Sequence, residues 1–331
     1  MKTQNRPTIA LVATGGTIAS VPDAHSKGAV PTLTVEDLVA SVPGLGDHAD
    51  ITCVQHAQKP SVELDFPDLT ALIATCLQAV EAGASGVVIT QGTDTIEETS
   101  YALDLLWDRP EPIAVTGAMR NPSLAGSDGP ANLLAAVQVA ANPSARDRGV
   151  LVVLNDEIHT ARDVIKTHTS SISAFRSWRT GPIGTVDEGE PHFHTSTFRR
   201  PGIDAPLGSI PRIALVTAVL GDGMSYVQAL PDWGYEGVVI EAFGGGHLRS
   251  EGMPVMRELV QRIPVVLASR TGAGTVLSRT YAFPGSETEL LQVGLISAGS
   301  LHPLKARVLL TMLIASGADQ TAIRAEFSAR T

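Results

Sequence analysis

Cysteine is nearly absent: only Cys53 and Cys76 occur in 331 residues. Neither their spacing nor their neighbours suggest a disulfide framework or a thiolate metal site. The nine histidines show no metal-ligating spacing either, so no metal is expected. Basic charge is in deficit, with 24 Lys and Arg against 34 Asp and Glu, a net charge of −10. That balance argues against non-specific binding to nucleic acid or to anionic membranes. No apolar run is long enough to cross a bilayer. The N-terminal MKTQNRPTIALVATGG holds a short apolar run ending in a glycine pair. It lacks the longer apolar core and small-residue cleavage site of a signal peptide, so a cytoplasmic protein is expected. Nucleotide signatures are missing too. Gly15-Gly16 has no third glycine at the dinucleotide-fingerprint offset, and no Gly-Lys-Ser/Thr follows to form a phosphate loop.

Apolar material is not lacking. Hydrophobic residues make up 44% of the chain and mean hydropathy is +0.14, enough to bury more than one core. The length exceeds one ordinary core and predicts two domains. Thr8–Ala13, Ile51–Gln55, Gly86–Ile89, Pro112–Thr116 and Gly149–Leu154 read as short strands rich in β-branched residues. Helical patterns separate them. Thr34 with Asp37 reads as the cap of a helix over Val35–Val42, and Leu69, Leu72, Ile73, Leu77 and Val80 share one face of Phe66–Ala82. Further helices are expected through Tyr101–Trp107 and after Ser127-Asp128-Gly129-Pro130. Strands alternating with helices predict a parallel sheet with right-handed crossovers. The pattern lapses over residues 190–211, which contain four prolines and no clear period. A second α/β pattern follows, with strands at Arg212–Thr217, Gly237–Ile240 and Pro264–Ala268 and helices near Ser225–Leu230, Gly252–Arg262 and Pro303–Ser316. The expected class is α/β, with a large N-terminal parallel-sheet domain (1–189), a linker (190–211) and a smaller C-terminal α/β domain (212–331).

The chain's centre is Gly86–Tyr101, GVVITQGTDTIEETSY. It predicts Thr93 and Asp94 at the carboxyl end of a buried strand, beside a helix N-terminus capped by Asp94 or Thr95, with Glu97 and Glu98 in the first turn. Open α/β sheets bind ligands at that end. A hydroxyl beside a carboxylate suits a small polar substrate with an ammonium group, and a capped turn without chemistry fits equally. The turn Thr14–Ser20 follows the first strand in the same way. Its two glycines allow close backbone approach to a ligand, exposed N–H groups there can stabilise an oxyanion, and a threonine hydroxyl can serve as nucleophile. A purely structural turn is the alternative. Residues 20–32 are polar, small and proline-punctuated, the composition of a mobile lid. Lys166, in Arg162-Asp163-Val164-Ile165-Lys166, is a candidate base if the fold carries it to Thr93; otherwise it is a solvated surface charge.

Taken together and in order, TGGTIA (14–19), TQGTDTIEE (90–98), TGAMR (116–120), DGPANL (128–133), RDVIK (162–166) and KARVLL (305–310) resemble the bacterial L-asparaginase family across nearly the whole chain. That family also contains glutaminase-asparaginases and an amidotransferase subunit acting on misacylated tRNA. The resemblance implies an amidohydrolase without a cofactor. Thr17 would be the nucleophile on the side-chain amide of asparagine, and Thr93, Asp94 and Lys166 the second catalytic group. Asp94 would hold the substrate's α-ammonium and Ser61 its α-carboxylate. Gly16, Gly92 and the Ala118 backbone would line the pocket. It further implies a homodimer or homotetramer in which a partner subunit completes each site, with Glu287 or His247 as loosely matched contributions.

The chain departs from the family pattern at two places. Members carry a lid tyrosine hydrogen-bonded to the first threonine; residues 18–34 contain none, and Ala29 stands at the matching position. His25, Ser26 and Lys27 are the nearby groups able to replace it. The position after the carboxylate-binding serine is commonly polar, and here it is Val62. The expected activity is asparagine hydrolysis to aspartate and ammonia. Alternatives are an amino-acid-binding member with weak or no turnover, and an amidase for glutamine or D-asparagine. The tRNA-dependent subunit fits less well: it requires an extra N-terminal domain, whereas the first strand here is reached by Thr8, and the acidic charge disfavours RNA.

Overall fold

The computed structural model describes residues 6–22, 29–197, 199–205 and 209–330. It divides into two compact units, Met1–Gly202 and Ile203–Thr331. The first unit opens with Thr8–Ala13 (β1). Two short strands follow, Ser20–Pro22 (β2) and Ala29–Pro31 (β3), paired antiparallel. Then come Asp50–Gln55 (β4), Gly86–Thr90 (β5), Ile113–Thr116 (β6) and Val150–Leu154 (β7). Glu157–Thr160 (β8), Ile165–Lys166 (β9), Phe175–Arg176 (β10), Gly184–Asp187 (β11) and Glu190–Phe193 (β12) complete the unit's strands. Its helices are Val35–Ala40 (α1), Leu45–His48 (α2), Phe66–Glu81 (α3), Ile96–Leu106 (α4) and Gly129–Ala141 (α5).

One eight-stranded sheet runs β12-β11-β8-β7-β6-β5-β1-β4. Its β4-β1-β5-β6-β7 part is parallel, and β8, β11 and β12 join antiparallel. The inner parallel strands β1, β5, β6 and β7 are buried on both faces because each alternates between two cores. Ile9, Leu11 and Val88 face α1, α2 and α5, while Ala10, Val12, Val87 and Ile89 face α3 and α4. The chain steps from β1 outward to β4 and then returns to the other side of β1 as β5. The order therefore reverses between β1 and β5, and the carboxyl ends at such a reversal form the crevice where open α/β sheets bind ligands.

The mixed architecture was expected; several details differ. Glu190–Phe193, read as the start of a linker, is one of the sheet's two edge strands, its exposure alternating along the pleat. The α4 helix begins at Ile96 with Thr95 in the cap position, but no side chain caps it. The expected lid is strand-paired at both ends through β2 and β3, and His25, Ser26 and Lys27 lie outside the described residues. The Thr34–Asp37 capping box is present and opens a shorter helix, α1. Both cysteines are free, and burial pushes the Cys76 thiol up to about 12.

The second unit is a parallel sheet in the order Ile213–Thr217 (β13), Gly237–Ala242 (β14), Val265–Ser269 (β15), Ile296–Ser297 (β16). Its helices are Met253–Leu259 (α6), Glu287–Gln292 (α7), Pro303–Ala315 (α8) and Gln320–Arg330 (α9). At the start of α8, burial and the Lys305 ammonium push the His302 imidazole down to about 4. The unfolded chain takes up this proton near pH 6.5, the folded chain only near 4, so stability falls as pH drops between those values. His302→Gln is expected to remove part of this acid-side loss. Going from pH 7 to 4.5, wild type should lose on the order of 2–3 kcal/mol more than the variant, read from urea midpoints. Equal losses in both proteins would contradict the assignment.

Candidate active site

Both turns at the reversal point are built from residues that few side chains could replace. At the end of β1, Thr14 ties itself to β5: its N–H and Oγ1 both donate to Thr90 O, at 3.0 and 2.9 Å. The chain then passes through Gly15 (φ +107°) and Gly16 (φ +86°). A Cβ on Gly16 would collide with the N and Cα of Gly92, so the two glycine turns touch backbone to backbone. Thr17–Ala19 forms a single 3-10 turn directly after Gly16. Ser20 Oγ donates to Gly16 O at 2.8 Å, closing that turn from the far side. Thr17 is half-buried there.

At the end of β5, Gln91 N donates to Thr116 O at 2.9 Å, and Thr93–Thr95 forms a 3-10 turn leading into α4. The Gln91 amide donates to Thr95 Oγ1 and Thr99 Oγ1, both at 3.1 Å. Thr95 Oγ1 in turn donates to Ser61 O at 3.1 Å. This engagement explains the missing cap: Thr95's hydroxyl anchors the Ser61 turn instead of the helix end. Ser61 is 3% exposed, and a Cβ on Gly92 would lie 2.8 Å from its Oγ. The neighbouring Val62 points outward and is exposed.

A third wall comes from the loop after β6. Asp128 accepts the N–H groups of Met119 and Arg120 at 2.9 and 2.8 Å. Asn132 Nδ2 donates to Gly117 O at 2.9 Å and to Asp128 Oδ2 at 3.0 Å. The loop is thus tied on both sides of Ala118, which is fully buried. A Cβ on Gly117 would lie 3.3 Å from Thr93 Cγ2, so this wall touches the β5 turn. It also approaches the first turn, since a Cβ on Gly129 would meet Ile18 Cγ1 at 3.0 Å and Ala118 Cβ at 3.4 Å.

Lys166 arrives from β9. Its Nζ donates to Thr93 Oγ1 at 2.9 Å and to Asp94 Oδ1 at 2.7 Å. The lysine side chain is 14% exposed and the aspartate 64%, so the carboxylate faces outward while the amine is shielded. Three residues before Lys166, Asp163 accepts from Arg162, from Thr160 and from Arg179 through two guanidinium nitrogens. Burial alone would raise Asp163, but these guanidiniums and the Thr160 hydroxyl hold it below the usual carboxylate range. Chemically, the assembly offers a hydroxyl against an amine, an outward carboxylate, a second hydroxyl on a glycine turn, and backbone N–H groups at both turns. Those are the parts needed for nucleophilic attack on a carbonyl carbon.

The structure therefore gathers Gly16, Gly92, Ser61 and Thr93 at one crevice, with Thr17 next to Gly16, Ala118 on its wall, and Asp94 and Lys166 against Thr93. His247 and Glu287 belong to the second unit, where His247 Nε2 and Glu287 Oε2 lie 3.1 Å apart. Burial would raise Glu287, yet the N–H groups of Tyr281 and Thr280 and the nearby His247 hold it low. Among the described residues, no three His, Cys, Asp or Glu side chains converge as metal ligands. Sequence reasoning missed the Asp128–Asn132 tether, the Asp163 clamp and Glu97, which accepts the Lys166 backbone N–H. The motifs DGPANL and RDVIK carried the first two, but nothing in their spacing says what they hold.

Residues 8–199 match the family model described as "Asparaginase, N-terminal", and residues 212–327 match "Glutaminase/Asparaginase C-terminal domain". The chain is 36% identical to a "Probable L-asparaginase" of Deinococcus radiodurans over 97% of each chain. It is 32% identical to a "Probable L-asparaginase periplasmic" of Haemophilus influenzae, over 97% of this chain and 92% of that one. The crystal structure of a "Probable Cytoplasmic L-asparaginase" from Campylobacter jejuni superposes with a TM-score of 0.87 at 32% identity, covering 98% of this chain and 99% of that one. With both family domains matched in order and relatives similar over almost their full length, the chain belongs to the asparaginase family of amidohydrolases.

Proposed function

We propose that this protein hydrolyses the side-chain amide of L-asparagine to L-aspartate and ammonia, with Thr17 as nucleophile. The observation that carries this reading is the Lys166–Thr93–Asp94 cluster beside the Gly16 turn. Thr17 Oγ1 attacks the amide carbon, backbone N–H groups of the two glycine turns stabilise the oxyanion, and the proton lost by the Thr17 hydroxyl passes to the leaving nitrogen, so that the C–N bond breaks and ammonia departs. Water then attacks the ester carbonyl, giving a proton to Thr93 and Lys166; the bond from carbonyl carbon to Thr17 Oγ1 breaks, that proton returns to Thr17 Oγ1, and aspartate leaves. Asp94, outward and anionic, receives the α-ammonium of the substrate. The buried Ser61 hydroxyl and its turn receive the α-carboxylate, and Ala118 lines the amide end. Each step is a proton transfer or an acyl transfer, so the reading calls on no cofactor.

The N-terminal unit carries this chemistry. A homodimer or homotetramer with partner-supplied contacts, from His247 or Glu287, completes the proposal. A cytoplasmic location follows the Campylobacter jejuni relative. The test is ammonia release from L-asparagine, L-glutamine and D-asparagine, measured side by side. L-asparagine is expected to give the highest kcat/KM. A preference for another of the three would reassign the substrate. Release from none would replace turnover by amino-acid binding, the reading favoured by Ala29 at the lid-tyrosine position.

A further inference from the structure

Lys166 has weak local support. It sits on β9, two residues long, whose only described strand neighbour is β10, also two residues, with Lys166 opposite Phe175. A ribbon this short has little stability of its own. It is fastened after Lys166 by Thr167, whose N–H and Oγ1 both donate to Ala174 O, at 2.7 and 2.8 Å. Before Lys166 it is fastened by the Asp163–Arg179 pair. At Lys166 itself the backbone N–H donates across to Glu97 Oε2, at 3.2 Å.

Glu97 lies in the first turn of α4, where an acid would ordinarily complement the helix dipole from solvent. Instead it is 8% exposed and aimed at β9. It follows Thr93 and Asp94 by four and three residues on one continuous 3-10-to-α segment. That single segment therefore grips Lys166 at three points: Nζ through Thr93 and Asp94, and the backbone through Glu97. The Thr93 hydroxyl and the amine it works with are both referenced to α4.

We propose that Glu97 is a positioning residue whose carboxylate, by accepting the Lys166 backbone N–H, sets the distance between Lys166 Nζ and Thr93 Oγ1. The inference rests on the roles given above to Thr93 and Lys166. Releasing the N–H lets β9 move relative to α4, and a displacement near 1 Å at a reacting pair costs about a hundredfold in rate. A residue that merely satisfied a buried amide would cost stability and leave kcat alone.

The experiment compares Glu97→Ala, Glu97→Gln, Glu97→Asp and Lys166→Met with wild type, measuring kcat and KM for L-asparagine and the melting temperature of each. Glu97→Ala is expected to lower kcat about 10- to 100-fold while KM stays within about threefold, since the substrate contacts are untouched. Glu97→Gln keeps an acceptor oxygen of the same reach and should return kcat to within about threefold of wild type. Glu97→Asp keeps the charge but withdraws the acceptor by one methylene, and should lower kcat about tenfold; it carries the test if the alanine variant does not fold. A lowered melting temperature with unchanged kcat in Glu97→Ala or Glu97→Asp would overturn the proposal. So would a glutamine variant as slow as the alanine one, which would assign the effect to charge. Wild-type kcat in Lys166→Met would instead remove the underlying reading of Lys166.

Discussion

Thr17→Ala should abolish ammonia release from L-asparagine, lowering kcat by on the order of 10⁴- to 10⁶-fold, the range for removing a covalent nucleophile. The loss should be chemical and not structural. Thr17 is half-buried, at the first position of one 3-10 turn, and the turn's closing hydrogen bonds come from Ala19 N and Ser20 Oγ to Gly16 O. None uses the Thr17 hydroxyl. The variant should therefore melt within a few degrees of wild type and still bind aspartate. Thr17→Ser, which keeps the oxygen and discards a methyl, should retain measurable turnover. A Thr17→Ala protein working at a tenth of the wild-type rate or better would move the nucleophile elsewhere, and Thr93 would be the first place to look. The Thr93 hydroxyl meets the Lys166 amine at 2.9 Å.

That contrast marks where sequence reasoning stops. The glycine turns, the Thr93-Asp94 pair and the strand-helix alternation were all legible, because each rests on a local rule: close backbone approach at paired glycines, β-branched runs in buried strands, acids at a helix start. The convergence of Lys166 on Thr93, 73 residues earlier in the chain, was legible only through resemblance. No local rule places a two-residue strand against the first turn of a helix. Glu97 shows the limit most plainly. Its position in the first turn of α4 was read correctly, and the dipole rule explained it fully. Its burial against β9 is a tertiary fact that the same letter cannot carry. Thr95 went the same way: a fitting cap residue in sequence, it spends its hydroxyl on Ser61 O. The strands β8 to β12 escaped because they are two to four residues long and mostly polar on one face, too short for a period to register.

Gly16→Ala is the second large effect, and it is expected to fail structurally. Gly16 holds φ +86° and ψ −173°, a region essentially closed to residues with a Cβ. That strain alone costs on the order of 1–3 kcal/mol. The collision adds to it. The new methyl would run into Gly92 N and Cα and lie 2.8 Å from Gln91 C, all backbone, with no flexible side-chain end to yield. Relief requires the β1 and β5 turns to part. They are joined at their bases by both Thr14 bonds to Thr90 O, so the parting strains the centre of the sheet. A loss of about 4 kcal/mol or more is expected, placing the variant among the exceptional point substitutions. Activity should vanish even in whatever fraction folds, because Thr17 follows Gly16 directly. Gly83→Ala supplies the control. Its φ is +105°, but a Cβ there meets nothing within 4 Å, so it bears backbone strain without the collision. It should cost about 1–3 kcal/mol and leave kcat unchanged. Equal destabilisation of the two variants in urea would mean that the backbone-to-backbone contact of the glycine turns contributes nothing beyond conformation. A much larger loss at Gly16 would identify that contact as what forces both turns to be glycine and holds the two threonines at one crevice.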